Sequence, residues 1–498
     1  MSDSAPVRAP EFPADATWIN TDRPLALHED LRGHVVVLDF WTYCCINCLH
    51  TLPVLSRLEQ AFAEQPVAVV GVHASKFITE RDPRHIALAV QRYHVQHPVV
   101  VDAEHDVWQR FAVKAWPTLI VVDAEGRGRD EIRGEPELDD LSARVTKLLE
   151  EARAAGTLAA APLDVRPDAS VDEQLLAFPG KVAADDTRVF VADSGHHRVI
   201  VAGHDGRIER VVGGVRGVGH ADGRYDAAAF NDPQGMDVVD GTLYVADRNN
   251  HLLRGIDLEL FWVKTLAGTG SKGMSRGAMD PSKPLEIGLR SPWDVQAVGH
   301  HLLIAMAGSH QIWLYDTETQ QVGAWAGSGV ENHVDGPLHE AALAQPSGLS
   351  LVGQWLLVAD SEVSSVRAID LHENQVQTIV GKGLFDFGDV DGAGEDALLQ
   401  HPLDVAAIGE TVYVADTYNH KIKAIDLRSL EVKTAFGTGD TDVLNEPAGL
   451  CAVGERLLVA DTNNHRILWA DPADGSLAPF ELRRSEERRV GKECATGC

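Results

Sequence analysis

The sequence predicts a multidomain protein, an α/β domain followed by an all-β six-bladed propeller. Three observations lead there. The chain has 498 residues, more than one hydrophobic core ordinarily serves. Residues 19–156 alternate strand-like and helix-like segments, the pattern of a sheet with helices on its faces. Residues 171–483 repeat one four-strand unit six times, and repeats of this kind build radial blades.

Composition narrows the partners. The chain is 44% hydrophobic and 24% charged, with a formal net charge of −30. Such an acidic surface repels nucleic acid and anionic membrane, which both need a basic footprint. No apolar run approaches the roughly 18 residues of a membrane span. Met1 to Arg8 contain no apolar signal segment, so the expected compartment is the cytoplasm. There thiols are held reduced, and a C-x-x-C is catalytic or metal-binding rather than a structural staple.

Residues 1–18, rich in Pro and Ala, read as a flexible N-terminal arm. Val35–Phe40 is a buried strand by its unbroken apolar run. Leu52, Leu55, Leu58 and Phe62 recur at helical spacing across Thr51–Ala63. Val67–Val72 is a strand, and Pro83–His94 a helix with Pro near its first position. Val99–Val101, Leu119–Val122 and Arg129–Ile132 complete the strands, and Leu138–Ala154 closes the domain as a helix.

The chemistry concentrates between the first strand and the first helix, in Asp39-Phe40-Trp41-Thr42-Tyr43-Cys44-Cys45-Ile46-Asn47-Cys48. Cys45 and Cys48 are three residues apart where a helix begins. Unpaired N–H groups and the positive end of the dipole favour a thiolate there. A second thiol on the same turn can close a disulfide. The expected site is a redox dithiol needing no cofactor. A zinc site built from Cys44, Cys45 and Cys48 with His50 or His73 is the weaker alternative, because adjacent cysteines fit a tetrahedral ion poorly; no metal is predicted.

This arrangement resembles the thioredoxin fold. The family's strand, Asp-Phe-Trp and C-x-x-C run is met by Asp39, Phe40, Trp41, Cys45 and Cys48, and its cis-proline signature by Trp116-Pro117-Thr118. The resemblance implies that Pro117 is cis and lies beside the cysteines, leaving nearby backbone to pair with an extended substrate. It implies that Cys45 attacks a substrate disulfide, Cys48 resolves the mixed disulfide, and Asp39 shuttles the proton of Cys48. Cys44 departs from the family, which commonly has Trp there; it either competes for the disulfide or packs as a small hydrophobe. Thr42-Tyr43-Cys44-Cys45 also matches the T-x-x-C spacing of peroxiredoxins, but Leu38 stands where that family has Pro.

An Ala/Pro-rich linker, residues 157–170, precedes the repeats. Their clearest unit is apolar-Val-Ala-Asp with a His four residues on. It occurs as Asp193 with His197, Asp247 with His251, Asp416 with His420 and Asp461 with His465. The third copy has Met306 in place of Asp, with His310; the fourth keeps Asp360 but has Ser364. Pro179, Pro233, Pro292, Pro346, Pro402 and Pro447 each lead an apolar strand. The recurrence argues for structure: the Asp caps the next turn and the His donates to it, an internal staple for each blade. The run Tyr413 to Asp426 resembles the NHL-repeat family. The Asp-Gly loops at Asp222, Asp335 and Asp391, with the insert from Gly270 to Ile287, are expected to line one rim, where a protein partner would dock.

The pairing of the two domains resembles a thioredoxin-fold, NHL-repeat-containing family with a Cys-Cys-Ile-Asn-Cys motif, met here by Cys44 to Cys48. The implied function is thiol–disulfide oxidoreduction, through a mixed disulfide with a protein substrate or reductant held on the propeller. A non-catalytic scaffold with a redox-sensing C-x-x-C, and a thiol peroxidase, are the alternatives. Arg484 to Cys494 match in one frame the translation of a sequencing adapter, and residues 484–498 are set aside. A further C-terminal β domain, common in that family, is expected in the natural chain.

Overall fold

The structure is a computed structural model and describes residues 7–165, 174–273 and 281–484. The chain divides into two compact units, 1–174 and 175–498.

The first unit is a seven-stranded mixed sheet flanked by helices. In chain order its elements are β1 (Val7–Arg8), β2 (Trp18–Ile19), β3 (Val35–Trp41), α1 (Ile46–Ala61), β4 (Val67–His73), α2 (Pro83–Arg92), β5 (Val99–Val101), α3 (Asp106–Arg110), β6 (Thr118–Val122), β7 (Arg127–Arg133) and α4 (Leu138–Ala155). The sheet order is β1-β7-β6-β3-β4-β5-β2. β3 is central, parallel to β4 and antiparallel to β6. Every residue of β3 is buried, which is why it reads as an unbroken apolar run. Val35 and Val37 pack with Leu55, Leu58, Leu141 and Val145. Val36, Leu38 and Phe40 pack on the other side with Val70, Val72 and Val107.

The predicted strands and helices are present, with two differences. α1 begins at Ile46, about a turn before the expected Thr51, and so includes Cys48. Residues 7–18 are an integral part of the unit rather than a loose arm. β1 pairs with β7 and β2 with β5. Phe12 is buried edge-on against Trp18. The Glu11 carboxylate accepts the N–H groups of Leu27 and His28 at 2.6 and 3.0 Å. Pro and Ala were read as loose because they carry no periodicity, whereas here the segment is held by pairing and one buried ring. The start of the linker also belongs to this unit, Ala159 donating its N–H to the Gly33 carbonyl at 2.8 Å.

The second unit is a six-bladed propeller of four- and five-stranded sheets, antiparallel except where Arg483–Arg484 pairs in parallel with Arg207–Gly213 at the outer edge of the first blade. The innermost strands neighbour one another in a closed ring, the sixth blade returning to the first. Each repeat Asp caps backbone, but of the segment that leads into the inner strand of its blade and not of the next turn as expected: Asp193, Asp247, Asp360, Asp416 and Asp461 accept the N–H of Ala177, Asn231, Ala344, Gln400 and Asn445, each sixteen residues earlier. In the third blade the Met306 sulfur stands in the same place, facing the Arg290 N–H at 3.3 Å.

The repeat His does something other than predicted. It adopts a left-handed backbone, and its Nδ1 accepts a backbone N–H from the next blade instead of donating to the Asp of its own. His197 takes Asp232, His251 takes Ser291, His310 takes Gln345 and His420 takes Glu446, each at 3.0–3.1 Å. His465 takes Phe178 at 3.0 Å and so joins last blade to first. Ser364, where the fourth copy lacks His, does the same through its hydroxyl to the His401 N–H at 3.2 Å. The left-handed turn carries the ring out of its own blade, which spacing alone does not reveal. Replacing His465 with Ala leaves the Phe178 N–H unsatisfied and is expected to cost about 1–3 kcal/mol, read as a lowered urea midpoint.

A cation follows the buried acids. Arg254 and Arg367 reach Asp247 and Asp360 at 2.8 and 3.0 Å, and also Asp222 and Asp335 of the Asp-Gly loops. Lys423 takes the equivalent place beside Asp391. In the first and last blades Arg198 and Arg466 reach Asp193 and Asp461 from two residues earlier in the strand, each at 2.7 Å. The third blade, which has no acid, has Gln311 and Trp313 at these positions. Thus the Asp-Gly acids predicted for the rim are engaged by their own blades. Their loops also add short fifth strands, at Gly223–Arg224, Gly336–Pro337 and Gly392–Ala393.

The axis is locked by charge. At one level of the innermost strands the six blades contribute Lys181, Gly235, Asp294, Gly348, Asp404 and Gly449 in turn. Lys181 Nζ reaches Asp294 at 3.1 Å and Asp404 at 2.7 Å, all three buried. The glycines make room: a Cβ on Gly235 would lie 1.9 Å from Asp294 Oδ1, and one on Gly449 2.7 Å from Lys181 Cα.

Candidate active site

The end of β3 and the start of α1 form the site. Cys45 is the N-cap of α1, with extended backbone (φ −82°, ψ 116°), and its side chain caps nothing. The first turn contains no acidic residue, so the positive end of the dipole is left for the thiol. Cys45 is half-buried; Cys44 and Cys48 are 1% and 0% exposed. All three are free thiols. Burial, then contact with Cys45, pushes the Cys48 thiol well above its ordinary pKa, and the nearby Asp39 charge adds to this.

Asp39 is fully buried beneath this pair, between Gly71 of β4 and Leu119 of β6. Among the described residues neither of its oxygens has a hydrogen-bond partner. Burial raises its carboxyl to about 7, with His97 opposing. The carboxyl therefore changes charge near neutrality, which suits a group that exchanges a proton with a buried thiol.

The Trp116–Pro117 peptide bond is cis. Thr118 pairs with Phe40, one residue from Trp41, so the cis bond lies across from the strand end. Trp116 Nε1 donates to the Ala74 carbonyl at 3.0 Å, and Thr118 Oγ1 to that of Ala115 at 2.7 Å. Trp41 is fully buried, edge-on to His73. The structure thus brings Asp39, Trp41, Cys44, Cys45, Cys48, Trp116, Pro117 and Thr118 into one region. The repeat residues form the separate blade network already described.

Of the two histidines of the zinc alternative, His50 is engaged by an acid, while neither ring nitrogen of His73 has a hydrogen-bond partner among the described residues. His50 Nδ1 is 2.8 Å from Glu135. His73 is stacked on Tyr43, its imidazole lowered by burial to about 3. Elsewhere, His300 and His301 lie 3.9 and 3.7 Å from the Asp316 carboxylate on a hairpin of the third blade. Cys451 borders the axial channel, a cavity of about 150 Å³, and burial pushes its thiol up to about 12. Cys494 and Cys498 lie outside the described residues.

One residue of the site went unread in the sequence. Glu80, in a short turn after β4, is fully buried and accepts the Thr42 hydroxyl at 2.6 Å and the Cys44 N–H at 3.0 Å. No motif marks it: it stands in the sequence among polar neighbours, Thr79, Arg81 and Asp82.

Fold and repeats together define a thioredoxin-like domain joined to a six-bladed NHL-repeat propeller. The sequence matches the thioredoxin-like family over residues 33–127 and the NHL repeat over 230–256 and 444–469. The chain is similar to proteins named NHL repeat-containing protein 2. The one from Bos taurus is 40% identical over 466 residues, covering 86% of this chain and 64% of its own. The chain therefore spans just under two thirds of that relative's length. Protein SUPPRESSOR OF QUENCHING 1, chloroplastic, of Arabidopsis thaliana is 41% identical over 451 residues, 86% of this chain and 42% of that protein. The first domain alone is similar to thiol-disulfide oxidoreductase ResA of Bacillus thuringiensis, 26% identical over 122 residues, 24% of this chain and 66% of ResA. No helix among the described residues is long and apolar enough to cross a membrane.

Proposed function

We propose that the protein is a thiol–disulfide oxidoreductase whose reacting pair is Cys45 and Cys48, with the propeller as platform for the partner. The observation carrying this reading is the asymmetry of the pair: a half-buried thiol on a bare helix N-terminus beside a fully buried one, with an unpartnered carboxyl behind it. The Cys45 thiolate attacks one sulfur of a substrate disulfide, forming a mixed disulfide and releasing the other sulfur as a thiolate. The ionised Asp39 carboxylate takes the Cys48 proton. The Cys48 thiolate then attacks Cys45 Sγ, releasing the second substrate thiolate and leaving a Cys45–Cys48 disulfide. Two electrons pass from the dithiol to the substrate, and a dithiol reductant returns them. Such a cycle suits a reducing compartment such as the cytoplasm.

Removing the resolving thiol tests the assignment. In Cys48→Ser the second step cannot occur, so mixed disulfides through Cys45 accumulate and release their partners on reduction. Absence of any trapped partner would favour the propeller acting as a scaffold alone.

Asp39 predicts a pH signature. The base is its ionised form, so the resolving step speeds up as pH rises through about 7. Stability runs the other way. A carboxyl whose folded pKa is raised contributes most when protonated in both states, and that contribution is lost as pH rises from about 4 through 7. Asp39→Asn should therefore flatten the pH–rate profile while raising the urea midpoint at pH 8. A variant as active as the parent at pH 8, with an unchanged profile, would remove Asp39 from the mechanism.

A further inference from the structure

We propose that Glu80 decides which of the three thiols reacts, by holding Cys44 protonated and outside the disulfide; this deepens the dithiol reading and rests on it. Among the described residues Glu80 receives four donors and no acceptor. Oε1 accepts the Thr42 hydroxyl at 2.6 Å and the Cys44 N–H at 3.0 Å. Oε2 accepts the N–H groups of Lys76 and Phe77, each at 2.9 Å. A carboxylate accepts at both oxygens, so this set is matched by the ionised form, even though burial works to raise its pKa.

The consequence runs through Thr42. Its hydroxyl has one proton, and that proton is given to Glu80. What faces the Cys44 sulfur, 3.7 Å away, is therefore an oxygen lone pair. In that contact the thiol donates, giving a chain from Cys44 S–H to Thr42 O–H to the Glu80 carboxylate. Ionising Cys44 would break the chain, set a thiolate against the oxygen lone pair and place a second negative charge near Glu80, all without solvent. Thiols react as thiolates, so Cys44 is inert where it lies. Cys45, the next residue, has the helix N-terminus and partial exposure. Glu80 also clamps the backbone at Cys44, fixing the loop in which the two neighbours have opposite chemistry. Glu80 is thus a positioning residue that selects the nucleophile.

The test compares thiols in the full chain. Parent, Glu80→Gln and Thr42→Val are oxidised with glutathione disulfide, alkylated, and mapped by mass spectrometry; alkylation of each cysteine in the reduced, folded proteins is timed separately. Gln presents N–H groups where donors already converge, and Val keeps the shape of Thr without the hydroxyl. In the parent, Cys44 should alkylate far more slowly than Cys45 and stay out of the disulfide. In both variants its alkylation should speed up by about tenfold or more, the effect of about one pKa unit, and disulfides containing Cys44 should appear. Unchanged Cys44 alkylation and an unchanged map in folded variants would overturn the assignment. Thr42→Val decides the matter if Glu80→Gln does not fold. Were the parent to form no Cys45–Cys48 disulfide while Cys44 still responded to Glu80, the dithiol reading would fail and the role of Glu80 would stand.

Discussion

Replacing Cys45 with Ser reduces the rate of insulin-disulfide reduction by dithiothreitol through this protein to background, a loss of roughly 10³-fold or more, as expected when a nucleophile is removed. Serine keeps the size of the thiol and its place at the N-cap of α1, where it is itself a good cap. The fold is therefore expected to survive, with a thermal midpoint no lower than the parent's. The effect is this large because the remaining thiols do not substitute. Cys48 is fully buried with a strongly raised pKa, and Cys44 is buried against Thr42 and Glu80. Cys44→Ser, by contrast, should retain at least about half of the activity, because that thiol is outside the electron path. Equal loss from the two substitutions would mean that the three-thiol site works differently.

The largest effect on stability is expected at the propeller axis. Lys181→Met leaves Asp294 and Asp404 facing one another in a buried space, and removing one partner of a buried ionic group costs about 3–5 kcal/mol. The loss should depend on pH. Burial and the neighbouring Asp294 already push Asp404 up to about 7, against Lys181. Without the lysine both carboxyls titrate higher still. A raised folded pKa means stability lost as pH rises through it, so the variant should be weakest above pH 7 and approach the parent as pH falls toward 4. Urea unfolding across that range measures this. Lys181→Met with Asp294→Asn and Asp404→Asn should recover much of the loss, since an apolar or neutral set of similar volume often replaces a buried ion group at little cost. A Lys181→Met variant as stable as the parent at pH 8 would show that the axis is held by strand packing alone.

The sequence was most readable where a physical constraint acts locally. Val35–Phe40 announced a strand covered on both faces, and the six Pro-led units announced blades. Cys45, Cys48 and Asp39 were legible because strand, turn and helix succeed one another within a few residues. What stayed hidden depends on distance. Glu80 meets Thr42 and Cys44 only through the adjacency of β3 and β4. Lys181, Asp294 and Asp404 look like scattered charges until the ring closes. The alternation of glycine with charge two residues after each blade's leading Pro went unread, because its meaning needs the axis. The His residues were assigned to the right network and the wrong partner, because a left-handed turn sends each ring to the next blade. Arg254 and Arg367 were missed although each stands at one fixed offset from its Asp, an offset that the first and last blades abandon.

The central claim is that Cys45 and Cys48, and not Cys44, form the redox couple. Disulfide mapping of the oxidised full chain by mass spectrometry tests it most directly. A Cys45–Cys48 bond that forms and breaks with the glutathione redox ratio, with Cys44 remaining alkylatable after denaturation, is the predicted result. A Cys44–Cys48 or Cys44–Cys45 bond, or three free thiols under every oxidising condition, would contradict it.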